Sequence, residues 1–259
     1  MSDHISVTRD GAVMRIAFNR PEKKNAITTA MYEALADGLA EAERDNATKA
    51  ILLEARGDIF TAGNDISDFM AGMSMTKTDN EVPGVVRFLE TLATADKPVI
   101  AAVQGPAVGI GVTLLLHCDL VYASKAATFH TPFVDLALIP EAASSLLLPR
   151  IVGHQRAAEM LFAGKKIDAA RAYDFGFINE VVASEALEQV AMDAARAIAE
   201  KAPASMKLTK KLVKGDRKEI LERMHQEFAF FAQLLQSDEF REAGMAFMEK
   251  RKPDFSKLG

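Results

Sequence analysis

Short apolar runs separated by turn residues mark the strands of this chain. Residues 5–8 and 13–18 are apolar or alternating and lie on either side of Asp10 and Gly11, which predicts a β-hairpin. Residues 50–55 are predicted as a strand, with an apolar run at 50–53. The other predicted strands are residues 99–103, 120–123, 128–130 and 179–182.

Helical spacing appears between these strands. Met31, Leu35 and Leu39 recur at intervals of four, and either Thr28 or Thr29 can cap the helix that they predict. Residues 71–82 are rich in small and polar residues and predict a loop. The other predicted helices are residues 66–70, 84–92, 157–162, 169–175 and 186–199.

The order of these elements predicts the fold class. Strands and helices alternate up to about residue 182, which indicates an α/β protein. From Ala183 onward the pattern is almost entirely helical. The length of 259 residues suits one large domain or two small ones and is sufficient for a full hydrophobic core.

Composition excludes several classes of function. Apolar residues make up 49% and charged residues 26%, and the formal net charge is -5, so bulk charge does not suggest a nucleic-acid partner. No apolar run approaches the length of a membrane span. The N-terminus lacks the apolar core of a signal peptide. Ser256-Lys257-Leu258 resembles a peroxisomal targeting signal, but such a signal must be the last three residues and Gly259 follows it. We therefore expect a cytoplasmic enzyme with neither a nucleic-acid nor a membrane partner.

Cysteine and histidine give no sign of a redox or metal site. Cys118 is the single cysteine and lies in an apolar run, so it is expected in the core of a protein from a reducing compartment. The five histidines are too scattered to predict a metal site.

Two glycine turns follow predicted strands and carry the candidate chemistry. Residues 105–111 (GPAVGIG) lead from a strand into a helix start, and residues 60–66 (FTAGNDI) follow another strand. A helix start presents unpaired N–H groups, and glycines such as Gly109 and Gly111 let a substrate approach the backbone. Together the two turns can form an oxyanion hole for a carbonyl oxygen that becomes an anion. Taken singly, each set of glycines is better explained as closing a tight turn.

The chain resembles the crotonase superfamily, also called the enoyl-CoA hydratase/isomerase family, along nearly its whole length. Several separate motifs occur in the family's order. They are residues 19–26 (NRPEKKNA), 60–66, 97–105 (KPVIAAVQG), 118–123 (CDLVYA), 148–150 (LPR) and 239–253.

This resemblance implies a fold, an assembly and a substrate. The implied fold is an α/β spiral of ββα turns, followed by a helical region that packs in trimers. The division would be residues 1–200 for the core with the CoA-ester site and residues 201–259 for the helical region. The assembly would be a homotrimer or a dimer of trimers. The substrate would be an acyl-CoA thioester, with no separate cofactor. The oxyanion-hole N–H groups would belong to Asn64 and Ile110.

The catalytic carboxylate is assigned by the same resemblance. Typical hydratases of the family use two glutamates, and Thr113 and Phe133 stand in their places here, which argues against hydration. The resemblance is greatest to the peroxisomal type of delta3,delta2-enoyl-CoA isomerase, in which the catalytic glutamate matches Glu141. The residues that carry it are 105–110, 112–115, 129–133, Pro140-Glu141, Ser144-Ser145 and 164–166.

Glu141 would move a proton from C2 to C4 of a 3-enoyl-CoA while the oxyanion hole holds the enolate. An apolar surround that includes Phe133, Leu136 and Leu138 would raise the pKa of Glu141. The alternative for Glu141 is a carboxylate that only favours the N-terminus of the following helix.

The remaining family positions concern coenzyme A. The expected CoA and substrate contacts are Lys24, Ala26, Ala62, Gly63, Asp65, Ile66, Gly109, Phe133, Phe247 and Lys250. Lys250 can instead be a solvated helix charge within a basic run. Met70, Met73 and Met75 form either an acyl-chain wall or a solvent-facing loop.

Three other functions fit the same motifs. One is an enoyl-CoA hydratase with a non-standard acid. Another is an aryl-CoA dehalogenase-like enzyme, which would carry an aspartate nucleophile near the position of Glu141. The third, from a different class, is a catalytically inactive acyl-CoA-binding module, which predicts binding of CoA esters without turnover.

Overall fold

The computed structural model describes residues 2–65, 82–249 and 251–258. Its strands are β1 (Ile5–Asp10), β2 (Val13–Phe18), β3 (Ala50–Ala55), β4 (Val99–Val103), β5 (Ala107–Val108), β6 (Leu120–Ser124), β7 (Thr128–His130), β8 (Ile167–Asp168) and β9 (Glu180–Val182). Its α-helices are α1 (Thr29–Arg44), α2 (Gly84–Thr94), α3 (Ile110–Thr113), α4 (Ser144–Val152), α5 (His154–Leu161), α6 (Ala169–Asp174), α7 (Leu187–Ala199), α8 (Pro203–Lys214), α9 (Arg217–Leu234) and α10 (Asp238–Met248).

The strands form two sheets. The larger has the order β1-β2-β3-β4-β6-β9, and only the β1–β2 pair is antiparallel in it. The smaller has the order β5-β7-β8. Isolated parallel bridges join Thr61 to Ala107 and Ile27 to Asn64, so the loops after β2, β3 and β4 run side by side.

Helices cover both faces of the larger sheet, which explains the continuous apolar run in β3. Leu52 and Ile100 pack with Ala191 of α7 on one face, while Ile51 and Leu53 belong to the main core with α1 and α2. Burial on both faces is the usual condition of a parallel sheet.

Local sequence signals are confirmed where they are strongest. The hairpin, the exact bounds of β3 and β7, and the helix after Thr28 are all present. The Thr28 side chain accepts a hydrogen bond from the Met31 N–H, which is the expected N-cap contact. Leu35 and Leu39 are fully buried, as their spacing predicts.

Several elements differ from the prediction or fall outside it. Residues 105–111 were predicted as a simple glycine turn, but Ala107–Val108 within them is strand β5, and Ile167–Asp168 is the further unpredicted strand β8. The predicted helix at 66–70 and nearly all of the loop at 71–82 lie outside the described residues. Cys118 is buried, and burial raises the pKa of its thiol to about 12, which fits a core residue.

The chain after α7 is helical, as predicted. Lys210 of α8 pairs with Asp119 at 2.7 Å, which fastens this region to the loop before β6. The division at residue 200 stays a prediction. Among the described helices, none combines the length and apolar content that crossing a lipid bilayer requires.

Candidate active site

The two glycine turns meet at one edge of the larger sheet. Strands β3 and β4 are parallel neighbours, so the loops that follow them begin at the same edge. The N–H groups of Phe60 and Thr61 donate to the Pro106 carbonyl at 3.1 and 3.3 Å, and the Val108 N–H donates to the Thr61 carbonyl at 3.0 Å. The adjacency expected from the sequence is therefore present.

Glycine is needed where these turns touch. Gly63 has a φ of +87°, and a Cβ there would lie 3.0 Å from the Val108 carbonyl oxygen. A Cβ on Gly111 would lie 2.5 Å from the Thr61 methyl group. Gly109 adopts φ +55° and ψ −118°, a conformation that L residues avoid, and its N–H donates to the His130 carbonyl at 2.8 Å. The turns approach each other closely because Gly63 and Gly111 lack side chains, whereas Gly109 is required for its backbone conformation.

The backbone of Asn64 presents an unpaired donor to this edge. The Ile27 N–H donates to the Gly63 carbonyl at 2.8 Å, and the Asp65 N–H donates to the Ile27 carbonyl at 2.9 Å. Ile27 thus bonds the residues on either side of Asn64, so the Asn64 N–H points away from Ile27. Within the described residues this N–H donates to no protein acceptor. The hydroxyl of Tyr32 donates to the Asn64 side-chain oxygen, which fixes the side chain of the same residue.

The second donor is at the start of α3. Ile110 is the first residue of this helix, where an N–H has no intrahelical partner. In the described part of the chain no acceptor is bonded to the Ile110 N–H. Asn64 and Ile110 therefore have the free donors that an oxyanion hole requires.

Glu141 is linked to the same short helix. Thr113, the last residue of α3, donates its hydroxyl to Glu141 Oε1 at 2.5 Å. Ile110 and Thr113 are three residues apart and so lie on one side of a helical turn. The other oxygen, Oε2, is buried and has no hydrogen-bond partner among the described residues. Glu141 therefore has one oxygen held by Thr113 and one oxygen with no hydrogen bond from the described residues.

Burial sets the protonation of Glu141. The side chain is buried, and desolvation raises the pKa of Glu141 to about 8. The Thr113 hydrogen bond opposes this rise, and the charge of Glu227 adds to it. A carboxyl that titrates near neutrality can both take and return a proton. The sequence predicted a raised pKa for Glu141, but it did not predict that the charge of Glu227 contributes to the rise.

The turn after Glu141 is strained and held from two sides. Ala142 and Ala143 both have left-handed backbones, with φ of 61° and 55°. His117 donates from Nε2 to the Ala142 carbonyl at 2.8 Å, and burial lowers the pKa of His117 to about 4, so the ring is neutral. On the other side, the Ser145 N–H donates to Glu227 Oε1 at 3.0 Å. These contacts fix the direction in which Glu141 projects.

Replacing Thr113 with Val tests the link between α3 and Glu141. The change keeps the shape of the side chain but removes the hydroxyl that favours the carboxylate, so the pKa of Glu141 should rise by about half a unit or more. We expect the acid limb of the kcat/KM pH profile to move to higher pH. Turnover at pH 7 should then fall several-fold.

Thr48→Val is the matched control. Thr48 is also buried and donates its hydroxyl to Asp45, but both residues precede β3, at the end of the strand away from the candidate site. Its profile should coincide with that of the wild type. An unmoved limb in Thr113→Val would contradict the assigned contact.

The predicted CoA-binding loops lie side by side. The Ala62 N–H donates to the Lys24 carbonyl at 3.0 Å, and the Lys24 side chain is exposed. Arg20 donates to the Ala26 carbonyl and to the Asp65 carboxylate at 2.7 Å, which makes Asp65 a structural partner of Arg20. The N–H groups of Ala62 and Asp65 are bonded to the Lys24 and Ile27 carbonyls, so neither is a free donor for a ligand.

Some predicted contacts lie outside the description. Ile66, Met70, Met73, Met75 and Lys250 are not among the described residues. Phe247 lies on α10, and its side chain is likewise outside the description. Phe133 is buried at the start of a short 3-10 helix, Val134–Leu136.

Comparison with known proteins gives the family. The family described as enoyl-CoA hydratase/isomerase matches residues 8–257. The chain belongs to the enoyl-CoA hydratase/isomerase family. A relative in this family, enoyl-CoA delta isomerase 2 of Rattus norvegicus, is 41% identical over 228 residues, or 87% of the chain. The chain spans only 58% of the length of that rat protein.

Two further similar proteins match this chain almost end to end. The 1,2-epoxyphenylacetyl-CoA isomerase of Escherichia coli (strain K12) is 34% identical, with 94% of this chain and 95% of that protein covered. The crystal structure of an enoyl-CoA hydratase/isomerase from Pseudoalteromonas atlantica T6c has a TM-score of 0.93 and 42% identity, and covers 98% of this chain and 100% of its own. The crotonase fold and the resemblance to enoyl-CoA isomerases are thus confirmed.

Proposed function

We propose that the protein shifts the double bond of a 3-enoyl-CoA to give a trans-2-enoyl-CoA, with Glu141 as the only proton carrier. The Asn64 and Ile110 N–H groups would bind the thioester oxygen and stabilise the negative charge that develops on it. The Glu141 carboxylate would take a C2 proton, and the resulting dienolate would receive the same proton at C4. The step is an internal transfer that consumes no water and no redox cofactor.

The observation that carries this proposal is the single bonded oxygen of Glu141. Thr113 occupies Oε1, while Oε2 is buried without a partner in the described residues. Hydration needs an acid and a base that hold a water between them, and by the family resemblance Thr113 and Phe133 stand where the two hydratase glutamates would be. One shielded carboxyl is sufficient to move a proton between two carbons of one substrate.

The substrate test compares a trans-3-enoyl-CoA with the trans-2-enoyl-CoA of the same chain length. We expect conversion of the first to the 2-enoyl product and no hydration of the second. Hydration of the 2-enoyl-CoA without conversion of the 3-enoyl-CoA would instead assign a hydratase with a non-standard acid. Binding of both esters without turnover would assign an acyl-CoA-binding module.

Isotope transfer in the same assay tests the single carrier. With a substrate deuterated at C2, a shielded Glu141 should return part of the deuterium to C4 before it exchanges with solvent. Product with no deuterium at C4 would contradict direct transfer from C2 to C4 by a solvent-shielded Glu141.

Assembly as a homotrimer or dimer of trimers is part of this proposal. Leu208, Leu212 and Val213 are exposed apolar side chains on α8, and they support a helical region that packs against other copies.

A further inference from the structure

A second buried carboxylate, Glu227, lies behind the turn that carries Glu141. It is on α9, far from Glu141 along the chain, yet it is only 4% exposed. Its Oε1 accepts the Ser145 N–H at 3.0 Å, at the first turn of α4. Its Oε2 is buried and has no hydrogen-bond partner within the described residues. A buried carboxylate that is half unsatisfied costs stability, so a functional reason for it should be sought.

Contacts around the two carboxylates favour different charge states. Arg223, one turn before Glu227, donates to the Ser145 hydroxyl at 3.1 Å and lies close to Glu227. Both line a cavity of about 370 Å³ that also includes Pro140, the residue before Glu141. Burial raises the pKa of Glu227, while the hydrogen bonds from Ser145 and the charge of Arg223 oppose this rise by favouring the carboxylate. Glu141 has the Thr113 hydroxyl alone, so Glu227 is expected to ionise first.

Other charged groups on the neighbouring elements are paired at the surface. On α2, Glu90 pairs with His225 of α9 at 2.5 Å. On α4, Arg150 pairs with Glu219 of α9 at 2.6 Å. His117, across the Ala142 carbonyl, is neutral through burial. The charges that act directly on Glu141 are therefore dominated by Glu227.

We propose that Glu227 is a positioning residue for Glu141, which it serves by holding the first turn of α4 and by placing a negative charge beside the Glu141 carboxyl. This role rests on the proposed proton transfer by Glu141. The backbone contact would fix the strained turn at Ala142 and Ala143, and the charge would keep Glu141 a stronger base than an isolated carboxylate.

Glu227→Gln separates charge from position. The amide oxygen can still accept the Ser145 N–H, but the negative charge is gone. The pKa of Glu141 should fall, so the acid limb of the kcat/KM profile should move to lower pH by about half a unit to one unit. KM should change little. Glu222→Gln is the control, because Glu222 is exposed on the same helix and pairs with Lys218. Its limb should stay at the wild-type position.

Several outcomes would overturn this role. If the acid limb of the kcat/KM pH profile of Glu227→Gln stays at the wild-type pH, the role is refuted, whether the rate is unchanged or falls equally at every pH. Glu227→Asp keeps the charge on a side chain that is one methylene shorter, so it should keep the limb and lower kcat. A wild-type kcat in Glu227→Asp would refute the positioning contact even if Glu227→Gln does not fold.

A measurement without substrate keeps this inference distinct from the proposed isomerase activity. Carbon-13 NMR of protein labelled at glutamate Cδ can follow the titration of Glu141, whose signal is assigned by its absence in Glu141→Gln. A shift to lower pH in Glu227→Gln supports the inference, and an unmoved titration refutes it. An inactive wild type would refute the isomerase proposal alone.

Discussion

Glu141→Gln is expected to abolish isomerisation of a 3-enoyl-CoA, with a fall in kcat of about 10³-fold or more. Glutamine has nearly the same shape, and its amide oxygen can still accept the Thr113 hydroxyl, so the pocket is preserved. It cannot carry a proton between C2 and C4. The measurement is kcat with a trans-3-enoyl-CoA, together with the Kd of a saturated acyl-CoA, which should remain near that of the wild type.

The stability of this variant provides the folding control. The folded pKa of Glu141, about 8, lies above its ordinary value of 4.5, so the fold favours the neutral form. The wild type is therefore expected to lose stability as pH rises from about 4.5 to about 8, while the glutamine variant does not pass through this titration. Denaturant unfolding should show the variant gaining on the wild type by a few kcal/mol across that window. A variant with wild-type turnover would remove Glu141 from the mechanism.

Gly63→Ala is expected to lower kcat/KM by about 10²-fold, because it separates the two turns of the proposed oxyanion hole. The new Cβ would meet the Val108 carbonyl oxygen at 3.0 Å, and this backbone atom can move only together with the loop that leads to Ile110. The left-handed backbone of Gly63 adds a strain of about 1–2 kcal/mol. The readouts are kcat/KM and the unfolding free energy.

Gly11→Ala is the matched control for strain. Gly11 has a similar left-handed φ of +60° in the β1–β2 turn, and a Cβ there would meet no atom within 4 Å. Gly11→Ala should lose stability through backbone strain alone, Gly63→Ala should lose at least as much, and only Gly63→Ala should lose activity. Equal activity in the two variants would show that the contact between the turns has no part in catalysis.

Interactions near in sequence were predictable. The hairpin around Gly11, the cap at Thr28 and the buried strand β3 depend on residues within a few positions of each other. The glycine turns were also visible, because a strand followed by glycines and an apolar run is a local signal. The family resemblance added the expected roles of Asn64, Ile110 and Glu141, which no spacing in the chain could supply.

A two-residue strand and a helix with an interior proline were harder to predict from the sequence. Ala107–Val108 is a strand because it pairs with β7 and bridges Thr61, and none of these partners is a neighbour in sequence. Helix α4 contains Pro149, which disfavours helix interiors, so its bounds could not be deduced from propensity.

By itself, the sequence determined the α/β order, the buried strands, the two glycine turns and the single candidate carboxylate, because each depends on a local pattern or a recognisable motif. Only the tertiary structure decided how that carboxylate is controlled. Thr113, His117 and Glu227 reach the Glu141 turn from three separate parts of the chain. No periodicity marks a lone threonine, histidine or glutamate for such a contact, since the free energy of a buried charge depends on which distant groups the fold brings beside it.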